Sequence, residues 1–113
     1  MRIDINKIAQ EAIEAQNEGR LEDAIESYKK VLEYVPKFAE AHSNLGTLLY
    51  QIGKADEAVA SYSKAIELNP EKAEIHYNLG NLLKNLGKLD KAELSFKKAL
   101  EIDITELASE EYR

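Results

Sequence analysis

The chain lacks cysteine and tryptophan and has only two prolines and five glycines among its 113 residues. Without cysteine it can form neither a disulfide nor a thiolate metal site, and the redox compartment stays undetermined. No linker rich in serine, glycine or proline interrupts the sequence. We therefore expect a single domain over residues 1–113, a length that allows one continuous core.

The chain also lacks an excess of basic residues, since 21 acidic residues face 15 lysines and arginines, for a net charge of −6. A nucleic-acid surface needs clustered lysine and arginine to neutralise phosphates. Helical repeats of about 35 residues that read RNA base by base are the relevant competitor. The acidic balance predicts no nucleic-acid partner.

No apolar run approaches the length that spans a membrane, and the opening residues MRIDINK contain no apolar core of a signal peptide. These two absences predict a cytoplasmic protein with no membrane partner.

The dominant feature that is present is an internal repeat of 34 residues. Residues 39–70 read AEAHSNLGTLLYQIGKADEAVASYSKAIELNP, and residues 73–104 match them without a gap. Residues 5–38 fit the same pattern more loosely. A fixed period of this size indicates a repeat array in which each unit buries its apolar face against its neighbours. We place the units at 5–38, 39–72 and 73–106, with a C-terminal tail or cap over 105–113.

Each unit predicts two helices joined by a short turn. Apolar residues recur at helical spacing in both halves of the middle unit, and Gly53 separates the halves where a left-handed residue is needed. Pro70 then ends the unit. By the same pattern we expect a first helix starting near Asp4 and five more at about 21–34, 39–52, 55–68, 73–86 and 89–103. The tail after residue 103 either extends the sixth helix, since no proline ends it, or forms one turn of a seventh.

Small and large residues alternate at matching places of the three units. One place holds Ala12, Gly46 and Gly80, and small residues there let two helix axes approach closely. A second place holds aromatic rings, which we expect to fill the space so created: Tyr28, Tyr62 and Phe96.

These motifs resemble the tetratricopeptide repeat over residues 5–104. The shared features are the 34-residue period, N-L-G in the first helix, A-x-x-x-Y/F-x-x-A in the second and a closing proline. The resemblance implies an all-α fold, a right-handed α-solenoid of three antiparallel helical hairpins. Three departures stand out: His42 and His76 replace the usual tryptophan, Glu11 replaces Leu45 and Leu79, and Ile104 replaces the proline. The last two departures fall in the first unit and at the end of the third, and they make these two places resemble the ends of a repeat array.

Residues for catalysis or metal binding are scarce. His42 and His76 are the only histidines, and two imidazoles without convergent carboxylates or thiols make a poor zinc site. We expect each ring to pack at a hairpin interface. No nucleophile and base can be assembled from matching places, and the glycines serve turns and helix packing. We predict no enzyme, no metal and no cofactor.

In the resembled family the first helix of each hairpin lines the concave side of the superhelix. The exposed residues of these helices here are mostly amides, with two tyrosines and few charges. They form the predicted peptide-binding groove: Gln10, Ile13, Asn17, Asn44, Thr47, Tyr50, Gln51, Tyr77, Asn78, Asn81, Lys84 and Asn85.

Asn44 and Asn78 stand 34 residues apart, with Gln10 in the same register. An amide can donate to a peptide carbonyl and accept from a peptide N–H, so a ladder of amides can hold an extended backbone. Similar asparagine ladders line peptide-binding grooves of the family, including those of glycosyltransferases that modify protein hydroxyls. The alternative is that these amides bond to the neighbouring helix or to water. The sequence leaves both interpretations open.

Another binding mode of the family, the clamp for a partner's C-terminal carboxylate, uses lysine and arginine on this surface. The matching places here are Ala9, Ile13, Glu74 and Asn78, and only Asn44 is kept. A terminal carboxylate would meet Glu74 in place of a cation, so we expect no such clamp.

The sequence therefore favours an interaction module that binds another protein or an extended peptide in its groove. The alternatives are a structural or oligomerisation scaffold with an empty groove, and a regulatory piece of a larger enzyme.

The C-terminal edge raises a separate question, because no hairpin follows the third unit. We expect Leu107 and Tyr112 to fold back over this edge as a short cap, or two chains to cover it by forming a homodimer.

Overall fold

A computed structural model describes residues 2–111, which form six α-helices in three antiparallel pairs. The helices are α1 (Ile5–Asn17), α2 (Leu21–Tyr34), α3 (Ala39–Gln51), α4 (Ala55–Leu68), α5 (Ala73–Asn85) and α6 (Leu89–Glu111). Each hairpin packs on the next, with α2 against α3 and α4 against α5. This arrangement confirms the all-α solenoid of helical hairpins.

The helix ends follow the predicted signals. Asp4 caps α1 by accepting a hydrogen bond from the backbone N–H of Lys7 at 3.2 Å. Gly19, Gly53 and Gly87 adopt φ angles of 76°, 88° and 78° after the first helices, a conformation that costs other residues energy. Both α3 and α5 end one residue before the predicted position.

Rings and glycines pack within the hairpins as their places in the repeat suggest. A Cβ atom added to Gly46 would lie 3.1 Å from the Tyr62 ring, and one added to Gly80 would lie 2.7 Å from the Phe96 ring. Tyr28 and Tyr62 are each only 3% exposed. In the second and third hairpins the ring therefore packs into space that a side chain at the glycine would occupy, most tightly at Gly80.

Both histidines close the connection between hairpins. The Nε2 atoms of His42 and His76 lie 2.9 Å from the carbonyl oxygens of Pro36 and Pro70, six residues earlier in each case. Because a carbonyl only accepts, each Nε2 carries the proton and donates. The rings fix the chain where it enters α3 and α5, and this explains histidine at these places.

The N-terminal edge is polar at places that are buried elsewhere. Ala41 and Leu48 of α3 are 2% and 0% exposed, whereas Lys7 and Glu14, at the matching places of α1, are exposed. In the second and third hairpins these are the places that the preceding hairpin covers. Glu11 signals this edge in the sequence, and Lys7 and Glu14 extend it.

The C-terminal edge differs from one prediction. Helix α6 continues straight through the expected end near residue 103 to Glu111, and Leu107 is 65% exposed. The fold-back of Leu107 is therefore wrong, because no turn residue interrupts the helix between Glu101 and Glu111. Tyr112 lies outside the described residues.

No helix among residues 2–111 combines the length and the apolar composition that crossing a membrane requires.

The contact between Gly80 and Phe96 gives a stability test. Alanine normally favours a helix over glycine by about 1 kcal/mol, yet Gly80→Ala should lower the free energy of unfolding by about 1–3 kcal/mol through overpacking. Chemical denaturation of the wild type and the variant measures this difference.

The second variant of this test is Gly80→Ala combined with Phe96→Leu, which removes the ring that the new Cβ atom meets. We expect the double variant to lose less stability than the sum of the two single losses. Strictly additive losses would show that the ring does not limit residue 80.

Candidate binding surface on the first helices

The predicted groove residues lie on α1, α3 and α5, and we call this the first-helix face. Seven of the twelve are exposed: Gln10, Ile13, Asn17, Gln51, Asn81, Lys84 and Asn85. The other five are only half-exposed: Asn44, Thr47, Tyr50, Tyr77 and Asn78. The second group lies nearer to the second helices, and most of its members bond to other side chains of the protein.

Tyr28 of α2 reaches this face and links two hairpins there. Its hydroxyl donates to Oε1 of Gln16 on α1 at 2.8 Å and accepts from Nδ2 of Asn44 on α3 at 3.2 Å. Burial raises the pKa of Tyr28 above its usual value, so the phenol stays protonated and can donate. One ring thus holds an amide of its own hairpin and an amide of the next.

Tyr62 of α4 reaches the same face but finds a different partner. Its hydroxyl lies 2.6 Å from Oγ1 of Thr47, which donates its own proton to the Ser43 carbonyl at 3.3 Å. Tyr62 therefore donates to Thr47, and burial raises the pKa of this phenol as well. The matching place in the first hairpin is Ile13, which cannot accept a hydrogen bond.

The third hairpin replaces the tyrosine by Phe96, which has no hydroxyl. Tyr77 of α5 packs against the Phe96 ring with centroids 6.4 Å apart, and its hydroxyl donates to Oδ2 of Asp103 at 3.1 Å. This hydrogen bond raises the pKa of Tyr77. Asn85 donates to the hydroxyl of Tyr50, which joins the ends of α3 and α5.

The amide ladder consequently has unequal members. Asn44 commits one N–H to Tyr28, whereas Asn78, one period later, makes no side-chain hydrogen bond within residues 2–111. The hydroxyl that could match it, that of Tyr62, bonds to Thr47. Asn78 and exposed Gln10 are thus free to bond a ligand, and Asn44 has a structural partner.

A small apolar cavity of about 100 Å³ opens between α1 and α3 on this face. Its lining is mostly hydrocarbon and includes two polar side chains at one side, Glu40 and Asn44. The apolar lining consists of Ala9, Ile13, Tyr28, Val31, Phe38 and Ala41.

The next junction in the array is polar at the matching places. Ser43, Thr47 and Lys72 stand there in place of Ala9, Ile13 and Phe38. The first junction therefore differs in chemistry from the second although the backbone repeats. A ligand that lies along the face would meet an apolar site at one end of α3 and hydroxyls at the next junction.

Sequence reasoning identified Ile13 and Asn44 of this cavity but missed Phe38 and Val31. Phe38 was detectable as an apolar ring in a connection whose later counterparts are Lys72 and Glu106. The sequence pattern correctly placed Val31 in the packed part of the hairpin. That Val31 also lines the cavity is visible only in the three-dimensional structure. Asp103 was also missed, because it lies on α6 and reaches this face only through its hydrogen bond with Tyr77 of α5.

Within residues 2–111 no three His, Cys, Asp or Glu side chains come together as metal ligands would. The first-helix face is thus a surface of hydrogen-bonding and apolar groups. Hydrogen-bonding and apolar groups of this kind are those that line ligand sites on proteins in general.

Comparison with solved structures shows the same fold in several proteins. The crystal structure of MamA superposes with a TM-score of 0.89 at 22% identity, over 93% of this chain and 61% of that chain. The second TPR of Spaghetti (RPAP3), bound to the HSP90 peptide SRMEEVD, gives 0.81 at 24% identity, over 87% and 91% of the two chains.

A mutant of the Thermobaculum terrenum O-GlcNAc transferase gives a TM-score of 0.80 at 31% identity, covering 90% of this chain but 20% of that enzyme. The chain therefore spans about three fifths of the MamA structure and one fifth of the transferase. No curated protein sequence matches the chain.

Sequence patterns of the family match nearly the whole repeat region. The TPR repeat matches residues 17–53 and 46–87, and the tetratricopeptide repeat matches residues 73–105. Together these matches span residues 17–105 and include parts of all three hairpins. The chain belongs to the tetratricopeptide repeat family.

Proposed function

We propose that the first-helix face binds an extended segment of another protein, anchored by an aliphatic side chain in the cavity between α1 and α3. The observation that carries this proposal is the apolar cavity beside amide groups. Tetratricopeptide repeats are generally protein-interaction modules, and the related RPAP3 domain is bound to a peptide.

The size of the cavity sets the class of anchor. About 100 Å³ accommodates a few methylene or methyl groups, as in valine, isoleucine or leucine. An aromatic ring or a charged head would not be matched by this volume and lining. Because Glu40 lines the same cavity, a lysine or arginine beside the anchor would be favoured.

The amides supply backbone recognition along the rest of the segment. Gln10 and Asn78 make no side-chain hydrogen bonds within the described residues, so each can both donate to and accept from a peptide group. Neighbouring first helices lie about 10 Å apart, so three of them match an extended segment of about six to nine residues.

An acidic ligand such as the HSP90 peptide of RPAP3 is disfavoured here. That peptide, SRMEEVD, carries three carboxylate side chains. On this protein Glu40 and Glu74 are exposed on the first-helix face. Ala9, Ile13 and Asn78 on the same face are uncharged, so they do not offset the two carboxylates. We infer a ligand that is neutral or basic around its aliphatic anchor.

The first test fills the cavity without removing a native contact. Ala9→Met should project a side chain into the cavity and weaken binding at least tenfold, while leaving the free energy of unfolding almost unchanged. The probes are peptides selected on the wild-type protein from a library of random segments of roughly nine residues, measured by calorimetry.

The matched control is Ala60→Met, the same substitution at an exposed alanine of α4. It should bind the selected peptides like the wild type. If no peptides are selected, or if both variants bind equally well, the cavity is not a binding site. The scaffold with an empty groove would then be the better description.

The second test separates the two asparagines. Asn78→Ala should weaken binding of the same peptides and change stability by less than about 0.5 kcal/mol, because its amide has no side-chain partner within residues 2–111. Asn44→Ala should lower stability by about 0.5–1.5 kcal/mol, because Tyr28 loses its donor.

Thermal and chemical unfolding of both variants accompany the binding measurements, with Ser63→Ala on exposed α4 surface as the control. Equal stability losses at Asn44 and Asn78 would contradict the unequal roles. Unchanged affinity in Asn78→Ala would show that this amide belongs to the repeat pattern and not to the binding site.

A further inference from the structure

The hydroxyls of the two buried tyrosines have different kinds of partner. The Tyr28 hydroxyl bonds to Gln16 of its own hairpin at 2.8 Å and to Asn44 of the next hairpin at 3.2 Å. The Tyr62 hydroxyl bonds at 2.6 Å to Thr47, which belongs to its own hairpin. Both tyrosines are 3% exposed, so burial does not explain the difference. Within residues 2–111, Tyr28 therefore joins two hairpins through its hydroxyl and Tyr62 does not.

One difference between the first helices matches this difference between the rings. Ile13 of α1 and Thr47 of α3 occupy matching places, 34 residues apart. Thr47 accepts a hydrogen bond from Tyr62, whereas the hydrocarbon side chain of Ile13 has no acceptor. The Tyr28 hydroxyl is therefore free to donate to another residue of α1 and to accept from the next hairpin.

The hydrogen bonds of Tyr28 lie at the wall of the cavity between α1 and α3. Tyr28 and Asn44 both line this cavity, together with Ala9 and Ile13 of α1. Direct contact between α1 and α3 is slight, because the first hairpin packs on the second mainly through α2 against α3. The Tyr28 hydroxyl thus links α1 to α3 at the place where the cavity opens.

A cavity with walls from two hairpins keeps its shape only while the hairpins keep their relative position. In a repeat array that position depends on the interface between neighbouring units. A ligand that enters a preformed site loses less free energy to ordering the protein. The hydroxyl of Tyr28 can be removed without removing its ring, so its contribution to this interface can be measured separately from packing.

We propose that the Tyr28 hydroxyl clasps the first two hairpins together and so holds the cavity in the form that accepts an aliphatic anchor. Ile13 allows this clasp, whereas Thr47 prevents the matching clasp by Tyr62. Tyr28 is then a positioning residue of the site. Its role in binding rests on the proposed function, whereas the clasp itself does not.

The first experiment creates a clasp at the second junction and needs no ligand. Thr47→Val keeps the shape of threonine but removes the acceptor of Tyr62, whose hydroxyl should then bond to Asn78, the counterpart of Asn44. In the wild type, Asn78→Ala should leave the folding equilibrium constant nearly unchanged. In the Thr47→Val chain it should lower that constant about fivefold, because a hydrogen bond is then lost. Chemical denaturation of the four chains measures the coupling.

The reverse exchange at the first junction is the matched control. Ile13→Thr gives Tyr28 an acceptor within its own hairpin, so the hydroxyl should release Asn44. Asn44→Ala should therefore lower the folding equilibrium constant less in the Ile13→Thr chain than in the wild type. If Asn44→Ala costs the same in both chains, or if residues 47 and 78 show no coupling, the proposal is wrong.

The second experiment asks whether the clasp prepares the cavity for the anchor. The probes are the peptides selected on the wild-type protein, each paired with a version in which alanine replaces the aliphatic anchor. By calorimetry, Tyr28→Phe should weaken binding of the anchored peptides about fivefold and leave the alanine versions unchanged, because only the anchor needs the formed cavity.

Tyr62→Phe is the matched control for this measurement. It removes an equally buried hydroxyl whose hydrogen bond stays within one hairpin. The ratio between the affinities of the anchored and alanine peptides should therefore remain that of the wild type.

Failure of this inference differs from failure of the proposed function. If Ala9→Met does not weaken binding, the cavity is not the binding site, and the positioning role of Tyr28 fails with it. If Ala9→Met weakens binding but Tyr28→Phe and Tyr62→Phe change the affinity ratio equally, the cavity binds the anchor and Tyr28 does not position it. Tighter binding by Tyr28→Phe would show that the hydroxyl withholds Asn44 from the ligand, which also contradicts the proposal.

Discussion

The structure depends on one steric relation, a large ring packed against a helix position that has little or no side chain. A Cβ atom at Gly80 would collide with the Phe96 ring at 2.7 Å, and one at Gly46 would contact the Tyr62 ring tightly at 3.1 Å. Ala12 occupies the same place before Tyr28 and is fully buried. This relation sets how closely the two helices of each hairpin approach, and the left-handed glycines then allow the short turns between them.

The same ring placement determines the chemistry of the first-helix face. A ring that enters from the second helix carries its para position through to the far side, so Tyr28 and Tyr62 present hydroxyls there and Phe96 presents none. Each hydroxyl recruits polar side chains, Gln16 and Asn44 in one case and Thr47 in the other. The asparagines of the repeat pattern are therefore not equivalent, although their places in the sequence are.

Much of the fold was predictable because the sequence shows the pattern of one helical hairpin three times. The helix bounds, the turn glycines and the ring places all followed from period and residue size. The end of α6 was left open, because after Ile102 no proline or glycine stops the helix and the sequence allowed both an extension of the sixth helix and one turn of a seventh. The cavity was also hidden, because it forms where Val31, Phe38 and Ala9 meet from three different elements. The 34-residue period reveals the features that the three units share, whereas the cavity depends on residues that differ between the units.

The two ends of the array show why differences from the repeat matter. At the N-terminal edge Lys7, Glu11 and Glu14 replace residues that are apolar in α3, so water can solvate that side of α1. At the C-terminal edge the apolar residues are kept, and the helix is extended by two further turns that add more of them. The two outer helices therefore differ in chemistry, because the outer side of α1 is polar whereas α6 keeps exposed leucines such as Leu100 and Leu107.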